Sequence, residues 1–268
     1  MTAIAVTIAG SDSSGGAGIQ ADLKTFAALG VYGASVIAAL TAQNTRGVTA
    51  IHDVPADFIA AQIDAVFSDL DVGAVKIGML SQAAAIQAVA QGLARHKAKN
   101  IVLDPVMVAT SGDRLLAADA IDALRSQLIP RALVVTPNLP EAAALIGASL
   151  ARNEDEMEAQ ARKIMALGAR NVLIKGGHGT GDDSVDLLVG PRDVVRLSAK
   201  RIATENTHGT GCTLSSAIAA GLAKGLDLPA AVHDAKAYVT TVIATADQLK
   251  VGHGKGPLHH YFAQWRDE

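Results

Sequence analysis

The 268-residue sequence has a single cysteine, few aromatic residues and no concentration of basic charge. One cysteine excludes an internal disulfide and any metal site built from several cysteines, and it fits a reducing cytoplasm. The 23 basic and 26 acidic residues give a net charge of −3, so no surface for nucleic acid or an anionic membrane is indicated. We therefore expect a cytoplasmic protein whose partner is a small molecule, with no nucleic acid and no membrane.

Motifs of several well-known sites are also missing. The chain has no G-x-x-x-x-G-K-[ST], H-R-D or D-F-G motif, which argues against P-loop and protein-kinase chemistry. It has no H-E-x-x-H and no G-x-S-x-G, which argues against zincins and α/β-hydrolases. The apolar run 3–9 lacks a preceding basic segment and is shorter than a membrane span of about 20 residues, so we predict neither signal peptide nor anchor.

Half of the residues are hydrophobic but only 3% are aromatic, so small aliphatic side chains must fill the core. Short β-type runs alternate with helical patterns, which is typical of an α/β fold with a mainly parallel sheet flanked by helices on both faces. A hairpin around Gly190-Pro191 would add a small antiparallel edge. We predict one domain over residues 1–268. The predicted strands are Ala3–Ala9, Ser35–Leu40, Ala74–Ile77, Asn100–Leu103, Ala132–Val135, Asn171–Ile174, Ser184–Val189 and Val194–Leu197. The predicted helices are Ala17–Leu29, Asp57–Ser68, Gln82–His96, Ala117–Gln127, Pro140–Leu145, Glu154–Leu167, about Thr213–Lys224 and about Pro229–Gln248.

The first predicted strand runs into a glycine-rich loop, residues 10–18, before a helix begins. Gly16-x-Gly18-x-x-Ala21 matches a relaxed dinucleotide fingerprint, but such a site needs an acidic residue about 20 positions further on. No Asp or Glu lies between Asp22 and Asp53. An NAD-dependent dehydrogenase is therefore disfavoured, a plain tight turn is an alternative, and a small-molecule pocket is preferred.

A second glycine-rich segment, residues 206–213, precedes an Ala-rich helix predicted from Thr213. Unpaired backbone N–H groups at such a helix start form a nest that attracts an anion. Capping of the helix by Thr207 or Thr210 is the alternative. Because capping needs one residue rather than two glycines around a threonine, we favour an anion site at Gly209 and Gly211.

Polar residues follow two other predicted strands, where open α/β sheets bind ligands. Asp104 follows the strand ending at Leu103, and Asn138-x-x-Glu141 follows the strand ending at Val135. Carboxylate and amide oxygens suit Mg²⁺, which takes one or two carboxylates together with substrate phosphates. Alternatively, Glu141 complements a helix dipole and Asp104 caps a turn.

Lys175 ends an apolar strand and leads into Gly176-Gly177-His178. A lysine at this position faces the ligand crevice, so a phosphate contact is favoured over an idle surface lysine. His178, His208 and His253 are surrounded by glycines rather than spaced i, i+4 on a helix, which argues against a histidine metal site.

Taken together, these motifs resemble the ribokinase superfamily, and most closely its hydroxymethylpyrimidine/phosphomethylpyrimidine kinases of thiamine biosynthesis. The resemblance covers nearly the whole chain. It includes Thr7-Ile8-Ala9-Gly10, Ala42-Gln43-Asn44-Thr45-Arg46-Gly47-Val48, Lys76-Ile77-Gly78-Met79-Leu80, Asp104-Pro105-Val106-Met107, Thr136-Pro137-Asn138-Leu139-Pro140-Glu141-Ala142 and Asn206 to Leu214.

The resemblance implies a ribokinase-like fold, ATP and Mg²⁺, two successive phosphorylations of hydroxymethylpyrimidine, and a homodimer. It places Gly209 to Cys212 around the transferred phosphoryl group, with Cys212 as base or positioning group for the substrate hydroxyl. It implies that Gln43 reads the pyrimidine edge, Met79 and Val106 pack on the ring, and Asp22 lies near the hydroxymethyl group. The remaining implied contacts are Gly10 with substrate, Asn138, Lys175, Thr207 and Thr210 with nucleotide, and Asp104 and Glu141 with metal.

Three alternatives stay open at this point. Pyridoxal kinase differs only in substrate, an NAD-dependent dehydrogenase is argued against above, and a non-catalytic nucleotide-binding regulator would be expected to lose Cys212 or Lys175.

For Cys212 we expect a helix N-terminus, neighbouring amides and Lys175 to lower the thiol pKa from about 8.5 towards neutrality. Its alternative role is that of a small buried residue that packs a helix start.

Overall fold

The computed structural model describes residues 1–107, 119–178 and 181–265. Within these residues nine strands form one sheet in the order β3-β2-β1-β4-β5-β6-β7-β8-β9. The pairs from β2 to β7 are parallel, and β3, β8 and β9 add antiparallel edges, which confirms the predicted α/β class. The strands are β1 Ile4–Asp12, β2 Tyr32–Asn44, β3 Gly47–Asp53, β4 Ala74–Ile77, β5 Ile101–Leu103, β6 Val134–Val135, β7 Val172–Ile174, β8 Asp183–Val189 and β9 Val194–Lys200.

Helices cover both faces of the sheet because the strands are apolar on both sides. Successive side chains of a strand point to opposite faces, and Val6 and Ile8 of β1 join one core while Ala5 joins the other. The helices are α1 Gly18–Ala28, α2 Ala56–Phe67, α3 Ala83–Arg95, α4 Ala120–Ala123, α5 Leu139–Ile146, α6 Glu154–Met165, α7 Thr210–Ala223 and α8 Leu228–Ala244. Helices α2, α3, α5 and α6 pack on the first core, and α1, α7 and α8 pack on the second.

The starts of α6 and α8 follow local sequence rules. Asn153 caps α6 by accepting a hydrogen bond from the Glu156 amide, and acidic residues fill its first turn. Asp227 caps α8 by accepting a hydrogen bond from the Ala230 amide. No helix in the described ranges combines the length and the apolar character needed to cross a bilayer.

Three of the differences from the prediction concern β3, α7 and α4. Strand β3 was not predicted, and it pairs with a β2 that extends to Asn44, beyond the predicted Leu40, as a hairpin. Helix α7 begins at Thr210 rather than Thr213, so the glycine-rich segment supplies its first turn. A helix predicted over 117–127 is seen as α4 followed by a π-helical turn, Leu124–Leu128, and its predicted start at Ala117 lies outside the described residues.

Candidate active site

A cavity of about 850 Å³ lies beyond the carboxyl ends of the parallel strands, where open α/β sheets bind ligands. It is bordered by every predicted site residue except Asp22. These residues are Gly10, Gln43, Met79, Asp104, Val106, Asn138, Glu141, Lys175, Thr207, Gly209, Thr210, Gly211 and Cys212.

The start of α7 forms the predicted nest. Gly209 precedes the helix with a φ of 85°, and a Cβ there would overlap the carbonyl oxygen of Gly16, so the position requires glycine. Neither Thr207 nor Thr210 caps the helix, and the Thr210 hydroxyl donates to the Thr207 carbonyl instead. Within the part of the chain that the structure describes, no acceptor pairs with the N–H groups of Gly211 and Cys212.

The Gly209 carbonyl at the start of α7 is linked through Thr213 to His260 in the C-terminal segment. The Thr213 hydroxyl donates to the Gly209 carbonyl over 2.9 Å, and the same hydroxyl lies 2.9 Å from Nε2 of His260. Burial, together with the charge of Lys24, lowers the pKa of His260 to about 4, so its ring is neutral at physiological pH. His260, near the C-terminus, therefore supports the nest.

Cys212 lies in the first turn of α7, but the expected lowering of its pKa is wrong. Burial raises the pKa of the thiol to about 11. Lys76 lowers this pKa, and Asp22 and Asp104 raise it further. Removal from water outweighs the helix N-terminus, so the thiol is protonated at neutral pH.

Lys175 joins the two predicted metal carboxylates. Its Nζ lies 2.7 Å from Oδ1 of Asp104 and 3.8 Å from Oε2 of Glu141. Burial lowers the pKa of Lys175, but the charges of Asp104 and Glu141 outweigh burial and hold this pKa above its usual value. Burial raises the pKa of Glu141 to about 7, which Lys175 opposes and Asp104 reinforces. The pocket therefore holds a compact, partly compensated cluster of charge.

Glu141 also has the structural role that the sequence left open. Its Oε2 accepts from the Asn138 amide over 2.8 Å, and Oδ1 of Asn138 accepts from the Glu141 amide over 2.9 Å. This reciprocal pair is a capping box at the start of α5. Asn138 is therefore a helix cap at the cavity wall.

The residues present fit Mg²⁺ held jointly with phosphates. Among the described residues no group of three metal-ligating side chains exists, so a metal bound by protein ligands alone does not fit. Asp104 and Glu141 offer carboxylate oxygens in the cavity beside one lysine, which matches the one or two carboxylates that Mg²⁺ takes when phosphates and water complete its shell.

Asp22 does not border the cavity, and its place near the hydroxymethyl group stays a prediction. It is fully buried, and its two oxygens lie 2.9 and 2.8 Å from Nζ of Lys76. Its oxygens also accept from the hydroxyls of Thr7 and Ser216. Lys76 borders the cavity instead. No role was predicted for Lys76, although a lysine within the apolar strand β4 was an available signal.

One wall of the cavity is formed around Gln43. Its Oε1 accepts from the Thr41 hydroxyl over 3.1 Å, and its Nε2 lies 3.4 Å from Nε2 of His208. His208 lies 2.8 Å from Asp12, a pair that the sequence did not reveal. Burial raises the pKa of Asp12, but hydrogen bonds from His208 and Ser14 outweigh burial and hold this pKa well below its usual range. Gln43 thus presents an amide at a polar edge of the cavity.

The loop after Lys175 is fastened by a second buried ion pair. Asp186 of β8 accepts from the Gly176 amide over 2.9 Å and from Nζ of Lys236 on α8 over 2.7 Å. The Arg201 guanidinium donates to the Gly177 carbonyl over 2.7 Å. Both cations border the cavity, so this end is basic and suited to a phosphate chain.

The fold and this site define a ribokinase-like enzyme, and comparison with known proteins gives its family. A model of the phosphomethylpyrimidine kinase family matches residues 12–259. The hydroxymethylpyrimidine/phosphomethylpyrimidine kinase of Rhizobium meliloti is 62% identical over 267 residues, which are 100% of both chains. The chain therefore belongs to the phosphomethylpyrimidine kinase family.

Solved structures agree on the fold. Phosphomethylpyrimidine kinase from Clostridium difficile aligns with a TM-score of 0.80 and 46% identity, covering 90% of this chain and 99% of that chain. An ADP complex of Bacillus subtilis pyridoxal kinase aligns with a TM-score of 0.91 and 38% identity, covering 99% and 100% of the two chains.

Proposed function

We propose that this protein uses ATP to phosphorylate hydroxymethylpyrimidine and then the resulting monophosphate, as a step of thiamine biosynthesis. The observation that carries the proposal is the open nest at Gly211 and Cys212, beside Lys175 and Asp104, in a cavity that the Gln43 amide also borders. Membership of the phosphomethylpyrimidine kinase family supports the choice of substrate.

The geometry gives each group a task. The amide of Gln43 offers both a donor and an acceptor, which matches a ring nitrogen beside an exocyclic amine. The unpaired N–H groups of Gly211 and Cys212 stabilise negative charge on the transferred phosphoryl group. Lys175 lies beside the nest, where its ammonium can exchange Asp104 for an ATP phosphate. Such a contact suits phosphoryl transfer, which depends mainly on positioning and charge neutralisation.

Asp104 and Glu141 are the residues that would hold Mg²⁺ together with the phosphates. When bound, the ion would neutralise phosphate charge next to Lys175. When Lys175 contacts a phosphate, Asp104 and Glu141 lose the positive charge that neutralises them in the structure. The bound ion would replace that charge. Burial raises the pKa of Glu141 and so makes its charged form costly, and a bound cation would stabilise that form.

Product analysis tests the proposal directly. The protein is incubated with Mg-ATP and hydroxymethylpyrimidine, and in parallel with pyridoxal, and products are identified by mass spectrometry. We expect the mono- and then the diphosphate of the pyrimidine. Accumulation of monophosphate alone under excess ATP would contradict the second step, and faster turnover of pyridoxal would favour the activity named for the Bacillus subtilis neighbour.

We also propose that the protein is a homodimer. Leu40 of β2 and Ile51 of β3 are exposed large apolar side chains at the β3 edge of the sheet, and exposed apolar surface favours association. Sedimentation equilibrium would test this, and a monomer at micromolar concentration would contradict it.

A further inference from the structure

Lys76 is a fully buried lysine at the edge of the active-site cavity. It lies in β4 between apolar residues, and its side chain has 0% exposure. Burying an ion pair is costly, and an apolar pair of similar volume is often at least as stable. The Lys76–Asp22 pair is therefore poorly explained as a device for stability alone.

Asp22 holds the ammonium of Lys76 in a fixed place. Both carboxylate oxygens bind Nζ, one also accepts from Ser216 over 2.7 Å, and the other from Thr7 over 2.6 Å. Ser216 stands one helical turn after Cys212 on α7. The pair thus ties three elements, β1, α1 and β4, to the helix whose first turn is the nest.

The ammonium lies against the backbone that enters the cavity. A Cβ on Gly78 would lie 2.6 Å from Nζ of Lys76, so glycine is needed after β4 for this approach. Asp22 uses two N–H groups of Lys76, and among the described residues no further side chain accepts from the third. The positive charge of Lys76 also acts on the Cys212 thiol.

We propose that Lys76 is a positioning residue that supplies positive charge to the acceptor end of the cavity, with Asp22 fixing its ammonium. This inference rests on the proposed phosphoryl transfer. Lys175 serves the phosphates, whereas Lys76 stabilises the negative charge that develops where the substrate oxygen meets Cys212. Fixed charges in a water-excluded site act strongly on such a centre.

The lone cysteine provides a test that needs no substrate. Iodoacetamide reacts with the thiolate, so the alkylation rate of Cys212 at pH 8 reports the local charge from Lys76, Asp22, Asp104 and Lys175. Lys76→Met should slow alkylation by about tenfold or more, and Asp22→Asn should speed it. Ser216→Ala is the matched control, because it removes a hydrogen bond to Asp22 but keeps both charges.

The double variant Lys76→Met with Asp22→Leu protects the test against misfolding, since it leaves no unpaired buried charge. We expect it to be folded, to be alkylated at a rate between those of wild type and Lys76→Met, and to lose about tenfold or more in kcat with little change in the KM for ATP. A folded double variant with wild-type kcat would show that the pair is only structural. Equal alkylation rates in all variants would overturn the proposal even if hydroxymethylpyrimidine proved not to be the substrate.

Discussion

Glu141 has two roles in the structure, and a pair of substitutions separates them. Its carboxylate closes the capping box with Asn138 and also lies 3.8 Å from Lys175 in the candidate metal site. Glu141→Gln keeps an oxygen that accepts from the Asn138 amide but removes the charge. Glu141→Ala removes both.

The expected magnitudes differ accordingly. Loss of the capping interaction in Glu141→Ala should lower the free energy of unfolding by about 1 kcal/mol, which is about 2–4 °C in Tm for a chain of this size. Glu141→Gln should lose less than about 0.5 kcal/mol, because the cap remains and the raised pKa shows that the charged carboxylate is not favoured there.

Activity should follow the charge rather than the cap. Urea unfolding measures the loss of stability, and a coupled ATP assay with a Mg²⁺ titration measures the Mg²⁺ requirement of the reaction. Both variants should need about tenfold more Mg²⁺ for half-maximal rate, since a ligating carboxylate is lost in each. A Gln variant with wild-type Mg²⁺ dependence would refute the metal role and leave Glu141 as a helix cap.

Two further predictions concern the substrate. If Cys212 is the base, its pKa of about 11 requires kcat to rise by about tenfold per pH unit from pH 7 to 9, because only the thiolate accepts a proton. In Cys212→Ala, kcat should be low and should not change with pH. A wild-type kcat that does not change with pH would make Cys212 a packing residue. Gln43→Met should cost on the order of 1–3 kcal/mol in kcat/KM for the pyrimidine and less for pyridoxal; equal losses in steady-state assays would mean that Gln43 is structural.

The sequence predicted the buried part of the fold well, because periodicity reports burial. Strand Ala74–Ile77 has the predicted bounds, and the β8–β9 hairpin turns at Gly190-Pro191. Strand β3 escaped prediction because most of its residues are exposed, so no apolar pattern marks it. It exists through antiparallel pairing with β2 across a short turn, which apolar periodicity does not report.

The sequence predicted single site residues at strand ends, but it did not predict which of their side chains contact one another. Asp104 and Lys175 are 71 positions apart and Asp12 and His208 are 196 apart, so no local pattern reports these contacts. The predicted lowering of the Cys212 pKa was wrong for the same reason, because burial of the thiol depends on elements from the whole chain.

The close approach of Gly209 to the Gly16 carbonyl has a consequence for synthesis of the protein. The nest is built against a loop from the start of the chain and is held through Thr213 by His260. Strand β9 ends at Lys200, ahead of α7 and α8, so neither the second core nor the nest can form until those helices have been synthesised. The anion site therefore appears together with the packed second face of the sheet, and a variant truncated before His260 would lose the contact that holds the Thr213 hydroxyl.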